Sequence, residues 1–176
     1  MSSPAAAPPA LRRFNALSDA EAERELLDCC GARRWARAVA VARPFASAEE
    51  LAAAAERAFD ELAPGDWSEA FAAHPRLGAP PASGAQSARA GSWSGHEQAA
   101  ALAAPAVLAA ELAAANRRYE AKFGRTYIAC AAGSGAAELL ATLEARLGND
   151  AARELEVAAG EQRRITSLRL RRIFQP

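Results

Sequence analysis

The sequence is short of the residues that mark several large protein classes. Aromatic residues make up 6% of the 176 residues, so a chain that stacked exposed nucleobases would find few platforms here. Neither sign of charge dominates: Lys plus Arg and Asp plus Glu stand at 21 each, which gives a polyanion or a charged membrane surface nothing to pull on. No apolar run approaches the ~20 residues a membrane span needs, because Glu and Arg interrupt the long alanine stretches. The three cysteines, Cys29, Cys30 and Cys130, form no Cys-x-x-Cys pair, and two of them are adjacent. That suits neither a disulfide framework nor a zinc site; they read as reduced thiols of a cytoplasmic protein, packed as small hydrophobes. With two histidines in all, His74 and His96, no metal site is expected. His96-Glu97 begins like a zinc-protease helix, but position 100 is alanine.

What the chain does have is helix punctuation. Residues 1–13, with Ser, Pro and Ala followed by two arginines, read as a flexible N-terminal tail. Ser18-x-x-Glu21 is a capping box and Gly31 a stop; a second helix spans about 32–42, with Trp35 and Val39 on one face. Ser47-x-x-Glu50 opens a third, whose stripe is Leu51, Ala55, Ala58, Phe59 and Leu62. Asp66-x-x-Glu69 opens a fourth. From Gly78 to Gly91 the prolines and glycines carry no apolar period, and this reads as a loop. A fifth helix is expected from Ser94, and a sixth with Val107, Leu108, Leu112, Ala115 and Tyr119 on one face, ending at Gly124. Thr126 to Ala131 reads as a buried extended segment. A seventh helix covers about 134–147. The last is capped by Asn149 and runs to about Ile173, with Leu155, Ala159, Ile165 and Leu168 buried. The expectation is an all-α, single-domain bundle of about eight helices over residues 14–174.

The chemistry is expected at Ala73-His74-Pro75-Arg76-Leu77-Gly78. Pro75 disfavours a helical backbone at the residue before it, so His74 sits where a helix ends, either capping its own carbonyls or facing a pocket. Ser94-x-x-Glu97 reads as a capping box, or as a helix N-terminus offering amides and a positive dipole end to an anionic ligand, with Gln98 beside it. Among Arg163, Arg164, Arg169, Arg171 and Arg172, most suit a solvated face. Arg169 borders the apolar stripe and is placed to grip a carboxylate with two bonds.

Five motifs in order carry a resemblance: Phe14-Asn15; His74-Pro75-Arg76-Leu77-Gly78; Ser94-x-x-Glu97-Gln98; Asn116-x-x-Tyr119-x-x-Lys122-Phe123-Gly124; and Ile165-x-x-Leu168-Arg169-Leu170. Over about residues 14–174 the chain resembles the 2-oxo-4-hydroxy-4-carboxy-5-ureidoimidazoline (OHCU) decarboxylases of urate degradation. The resemblance implies an all-α homodimer that needs no metal or organic cofactor and converts OHCU to (S)-allantoin with loss of carbon dioxide. It implies His74 as the catalytic acid, with Glu97 and Arg169 completing the catalytic set. It also implies substrate contacts from Pro75, from Ser94, Gly95, His96, Glu97 and Gln98, and from the backbone of Tyr127, Ile128, Ala129, Cys130 and Ala131. The chain departs from the family pattern at Arg125-Thr126, where an aromatic residue and a Pro or aromatic are usual, so the pocket near Tyr127 is expected to differ in shape. Two other functions fit the same residues: a helical module that binds a ureide or purine-related ligand without turning it over, and a plain helical scaffold.

Overall fold

The computed structural model describes residues 7–79 and 87–174. Every regular element among them is a helix: α1 (Pro9–Asn15), α2 (Asp19–Leu27), α3 (Arg33–Val41), α4 (Ala48–Asp60), α5 (Pro64–Ala72), α6 (Ala88–Glu97), α7 (Ala99–Leu102), α8 (Ala106–Phe123), α9 (Ala136–Arg146) and α10 (Ala151–Phe174). No described helix is long and apolar enough to cross a membrane.

The buried side chains fall into two clusters. The larger joins α1 to α5 with one face of α10, around Phe14, Trp35, Leu51, Phe59, Phe71 and Phe174. Burying each such side chain is worth about 1.5–3 kcal/mol. Trp35 keeps its indole N–H satisfied by donating to the Ala55 carbonyl at 3.0 Å. The smaller cluster joins α7, α8 and α9 around Leu112, Tyr119, Leu139 and Leu143. Two short stretches sit on the seam. Phe71 belongs to the first cluster and Leu77 to the second; Ile128 belongs to the first, and Tyr127 and Ala131 to the second. The seam is therefore lined by the turn after α5 and by the irregular 125–135 connection.

Several expectations change in the fold. Of the tail expected over 1–13, residues 1–6 lie outside the described residues; from Pro9 the chain forms α1, which carries Leu11 and Phe14 into the core. Proline suits the first helical position, where its missing N–H has no intrahelical partner. Phe14 meets Phe174 edge to face at 5.0 Å, and Asn15 exchanges two hydrogen bonds with the Phe45 backbone, so both chain ends of the domain are tied together. On α8, Leu112, Ala115 and Tyr119 are buried as expected, but Val107 is 74% exposed. On α10 the buried face is turned by one position: Glu154, Ala158, Gln162, Ile165, Thr166 and Arg169 face inward, while Leu155, Ala159 and Leu168 are half-buried. The expectation followed the leucines. The helix instead buries polar groups that have partners inside, and Asp150, not Asn149, caps its start by accepting from the Arg153 amide at 2.8 Å.

Candidate active site

His74 follows directly on α5. Its amide donates to the Phe71 carbonyl at 3.0 Å, one last helical bond before Pro75 forbids another. The turn that follows is clamped from two sides. Asn116, buried on α8, donates to the Leu77 carbonyl at 2.9 Å, and the Gly78 amide donates to Gln98 Oε1 at 2.8 Å. Gly78 has φ of +77°, a backbone that a side chain would strain. Asn116 of the fourth motif thus supports the histidine turn through the backbone.

The second wall is α6, and here the expectation of a helix starting at Ser94 is overturned. Ser87 is the cap, with an extended backbone and Oγ accepting from the Ala90 amide at 3.1 Å. Ser94 and Glu97 lie in the last turn and Gln98 closes it. The ligand amide cradle at a helix N-terminus is therefore absent at Ser94, and the local dipole end is the negative one. Three residues apart, Ser94 and Glu97 share a face, and that face meets α10. Arg169 grips Glu97 with two bonds, Nε to Oε1 at 3.1 Å and Nη2 to Oε2 at 2.7 Å. It also donates to Ser94 Oγ at 3.1 Å and to the Asp28 carbonyl at 3.0 Å. Arg172, one turn on, donates to Glu97 Oε1 at 2.9 Å. The carboxylate that Arg169 holds in this way is that of Glu97.

The third wall is the 127–131 segment with Ile165 of α10. Arg146 supports it from below, donating to the Ile128 carbonyl at 2.8 Å while its guanidinium stacks 4.5 Å from the Tyr127 ring centre. Arg146 in turn pairs with Glu154, which accepts from Tyr119 Oη at 2.5 Å and from Asn149 Nδ2 at 2.7 Å. The Tyr119 of the fourth motif is thus a buried strut. Lys122 of the same motif donates to the Leu147 and Asn149 carbonyls.

Between these walls lies a cleft of about 370 Å³ including its open mouth. His74, Pro75 and Leu77 line it from the turn; Ser94, Glu97 and Gln98 line it from α6. Tyr127, Ile128, Ala129, Ala131 and Ile165 complete it. Four expected site residues fall elsewhere, and one of them is Arg169, which stands behind Glu97 and not on the wall itself. Gly95 and His96 are not on the cleft wall, and His96 is exposed, its Nδ1 paired with the Ser92 carbonyl at 2.8 Å. A helix turns them away because only one residue in three or four faces a given side. Cys130 is off the wall, and its amide donates to Glu161 Oε2 at 2.7 Å. Sequence reasoning also missed Arg172, findable as the residue one turn beyond Arg169, and Leu77 and Ile165, which lie inside the quoted motifs.

The electrostatics of the cleft favour neutral hydrogen-bonding groups beside one fixed ion pair. Burial and the nearby Arg169 charge push the His74 imidazole down to about 3, against a smaller opposing effect of Gln162. The ring is half-buried, with part of it on the cleft wall, and is neutral at pH 7. The Tyr127 phenol is buried and pushed up to about 12 by that burial, against the opposing Arg146 charge, so it too is neutral. Burial likewise raises the Cys29 and Cys30 thiols, which are inert core groups.

Comparison with known proteins bears on the same residues. The family model for OHCU decarboxylase matches residues 15–171. The uric acid degradation bifunctional protein TTL of Arabidopsis thaliana is 39% identical over 153 residues, covering 86% of this chain; the chain spans 47% of that protein's length. The 2-oxo-4-hydroxy-4-carboxy-5-ureidoimidazoline decarboxylase of Amia calva is 33% identical over 141 residues, covering 80% of this chain and 79% of that one. The crystal structure of an OHCU decarboxylase in the presence of (S)-allantoin superposes with a TM-score of 0.75 at 32% identity, covering 87% of this chain and 99% of that chain. A crystal structure of (S)-allantoin synthase, 17% identical with a TM-score of 0.65 over 91% of this chain and 52% of that chain, shares the fold. On the strength of the family model and these relatives, the chain belongs to the OHCU decarboxylase family.

Proposed function

We propose that this chain decarboxylates OHCU to (S)-allantoin, in the cleft between the His74 turn, α6 and the 127–131 segment. The observation that carries the reading is convergence. A neutral imidazole, an oriented carboxylate and an amide side chain, from positions 74, 97 and 98, line one small hollow, in a chain whose family acts on this substrate class.

The reaction breaks the bond between a ring carbon and its carboxylate. The electron pair left behind passes into the conjugated ring as an enolate-like system, and the hydroxyl on the same carbon becomes a carbonyl. The hydroxyl proton leaves oxygen, a proton reaches the neighbouring ring carbon on one face, and one further proton, taken up from solvent, neutralises the ring nitrogen on which the released electron pair ends. His74 is suited to the first two steps in that order: uncharged, it accepts the hydroxyl proton, and the imidazolium so formed returns a proton to carbon. Glu97, locked by Arg169 and Arg172, accepts from ureido or ring N–H groups without having to reorganise. Gln98 and the 127–131 backbone set the plane of the ring, so that the departing carboxylate stands out of it. In this reading Arg169 acts through Glu97, as a positioning residue. Ser94 and Pro75 shape the wall. The reading takes the working protein to be a cytoplasmic homodimer; the free thiols of Cys29, Cys30 and Cys130 suit a reducing compartment.

The test is to generate OHCU in situ from urate and follow the optical activity of the allantoin formed. With the protein present, (S)-allantoin should accumulate faster than the spontaneous racemate. Equal rates and a racemic product with and without the protein overturn the reading. Light scattering on the same preparation reports whether the chain is a dimer.

A further inference from the structure

Gln162 lies fully buried on α10, two turns before Arg169 and on the same face. A side-chain amide in a core needs both its ends satisfied. Its Nε2 donates to Thr166 Oγ1 at 3.3 Å. The Thr166 hydroxyl has one proton, and its shorter bond as a donor runs to the Gln162 main-chain carbonyl at 2.9 Å. Thr166 can therefore only accept from the amide, and this fixes which end of the Gln162 amide is nitrogen. The oxygen end is buried and completes no hydrogen bond among the described residues, and Gln162 is the neighbouring side chain that raises the proton affinity of the His74 ring.

An amide oxygen held against a neutral imidazole favours the tautomer whose N–H points at it. The other ring nitrogen then keeps its lone pair. We propose that Gln162 is a positioning residue for His74: its amide oxygen, oriented by Thr166, accepts from one ring nitrogen and so reserves the other as the base that takes the substrate hydroxyl proton. The inference rests on the decarboxylase reading for its catalytic half; the hold of Gln162 on the ring stands apart from it. An amide that only filled space in the core would leave the tautomer of His74 indifferent to its loss.

Long-range proton–nitrogen spectra of protein carrying 15N-histidine separate the two cases. There are two histidines, and the signal lost in His74→Gln identifies His74. Wild type should hold one dominant His74 tautomer at pH 7. Gln162→Leu keeps a side chain of similar bulk and should populate both tautomers. Its kcat should fall roughly 10-fold or more, part of the ~10²–10⁴ that a general acid–base supplies, with KM changed by less than about threefold. Thr166→Val, which frees the amide to turn over, should move both readouts the same way by a smaller amount, and it serves if Gln162→Leu does not fold. An unchanged tautomer in these variants overturns the proposal, and so does a mixed tautomer with unchanged kcat. If wild type itself makes no (S)-allantoin, the decarboxylase reading fails, while the spectra still decide whether Gln162 holds the ring.

Discussion

Arg169 carries five N–H donors, and Glu97, Ser94 and the Asp28 carbonyl take four of them. A lysine at this place has one charged head and no fork, so it cannot fix both oxygens of Glu97. Arg169→Lys is therefore expected to fold and to lose roughly 10-fold or more in kcat, read by the optical assay. Arg169→Met should cost on the order of 3–5 kcal/mol in urea unfolding, because it strips the main partner from a carboxylate whose side chain is 9% exposed. Arg172 sits at the rim with its side chain 32% exposed, and Arg172→Ala should cost at most about 1 kcal/mol. Equal losses for Arg169→Met and Arg172→Ala would show that the buried fork has no special hold. At His74, removal of the base leaves the scaffold whole. His74→Ala should remain folded by circular dichroism and lose about 10²–10⁴ in rate; (S)-allantoin formed at the wild-type rate by that variant would remove the assigned base.

At the level of elements, α6 is the part on which the site most depends. It carries Ser94 and Glu97 in its last turn, so its first turn decides where they stand. Ser87 caps it and also donates to Asp28 Oδ1 at 2.6 Å, while Arg89 donates to Asp28 Oδ2 at 2.7 Å. The Asp28 carbonyl is in turn a ligand of Arg169. Ser87→Ala removes a cap and a link to α2, and should lower stability by about 1 kcal/mol. Glu97 should then be less well placed, and kcat/KM should drop severalfold in the same preparation. A loss of stability with kcat/KM unchanged would mean that Glu97 is placed by Arg169 alone. The start of α6 was hard to read because the motif Ser94-x-x-Glu97 has the spacing of a capping box but lies in the helix's final turn. The true cap, Ser87, stands in a stretch of Ala, Gly and Ser with no apolar period, where one serine looks like another. The helices with strong stripes were legible, since Trp35 and Val39, or Leu51, Ala55 and Phe59, have one face to bury. The face of α10 was not, because Glu154, Gln162, Thr166 and Arg169 are buried for the sake of partners 4 to 141 positions away, and periodicity counts only apolar residues.

For the molecule as a whole, the site occupies the seam between two cores, and that seam governs how the protein should respond to acid. Pro75 alone places His74 at a helix end and leaves open whether it caps carbonyls or faces a pocket; its protonation is not legible, because it depends on the side chains that α10 packs around it. Burial and the Arg169 charge lower its folded value from 6.5 to about 3. Between these two values the unfolded chain carries a proton that the folded chain does not. This group's contribution to stability is thus complete above about pH 6.5 and declines as the pH falls toward 3. At pH 5 the loss should be on the order of 1 kcal/mol, allowing for the part of the ring open to the cleft. His74→Gln has no proton to take up at this position and should lose less stability than wild type between pH 7 and pH 5, by that amount. Urea midpoints for both proteins at the two pH values measure it, and the shared acid sensitivity of the carboxylates cancels in the difference. If wild type and His74→Gln weaken in parallel, the fold does not depress the proton affinity of His74, and the acid sensitivity of the seam has another source.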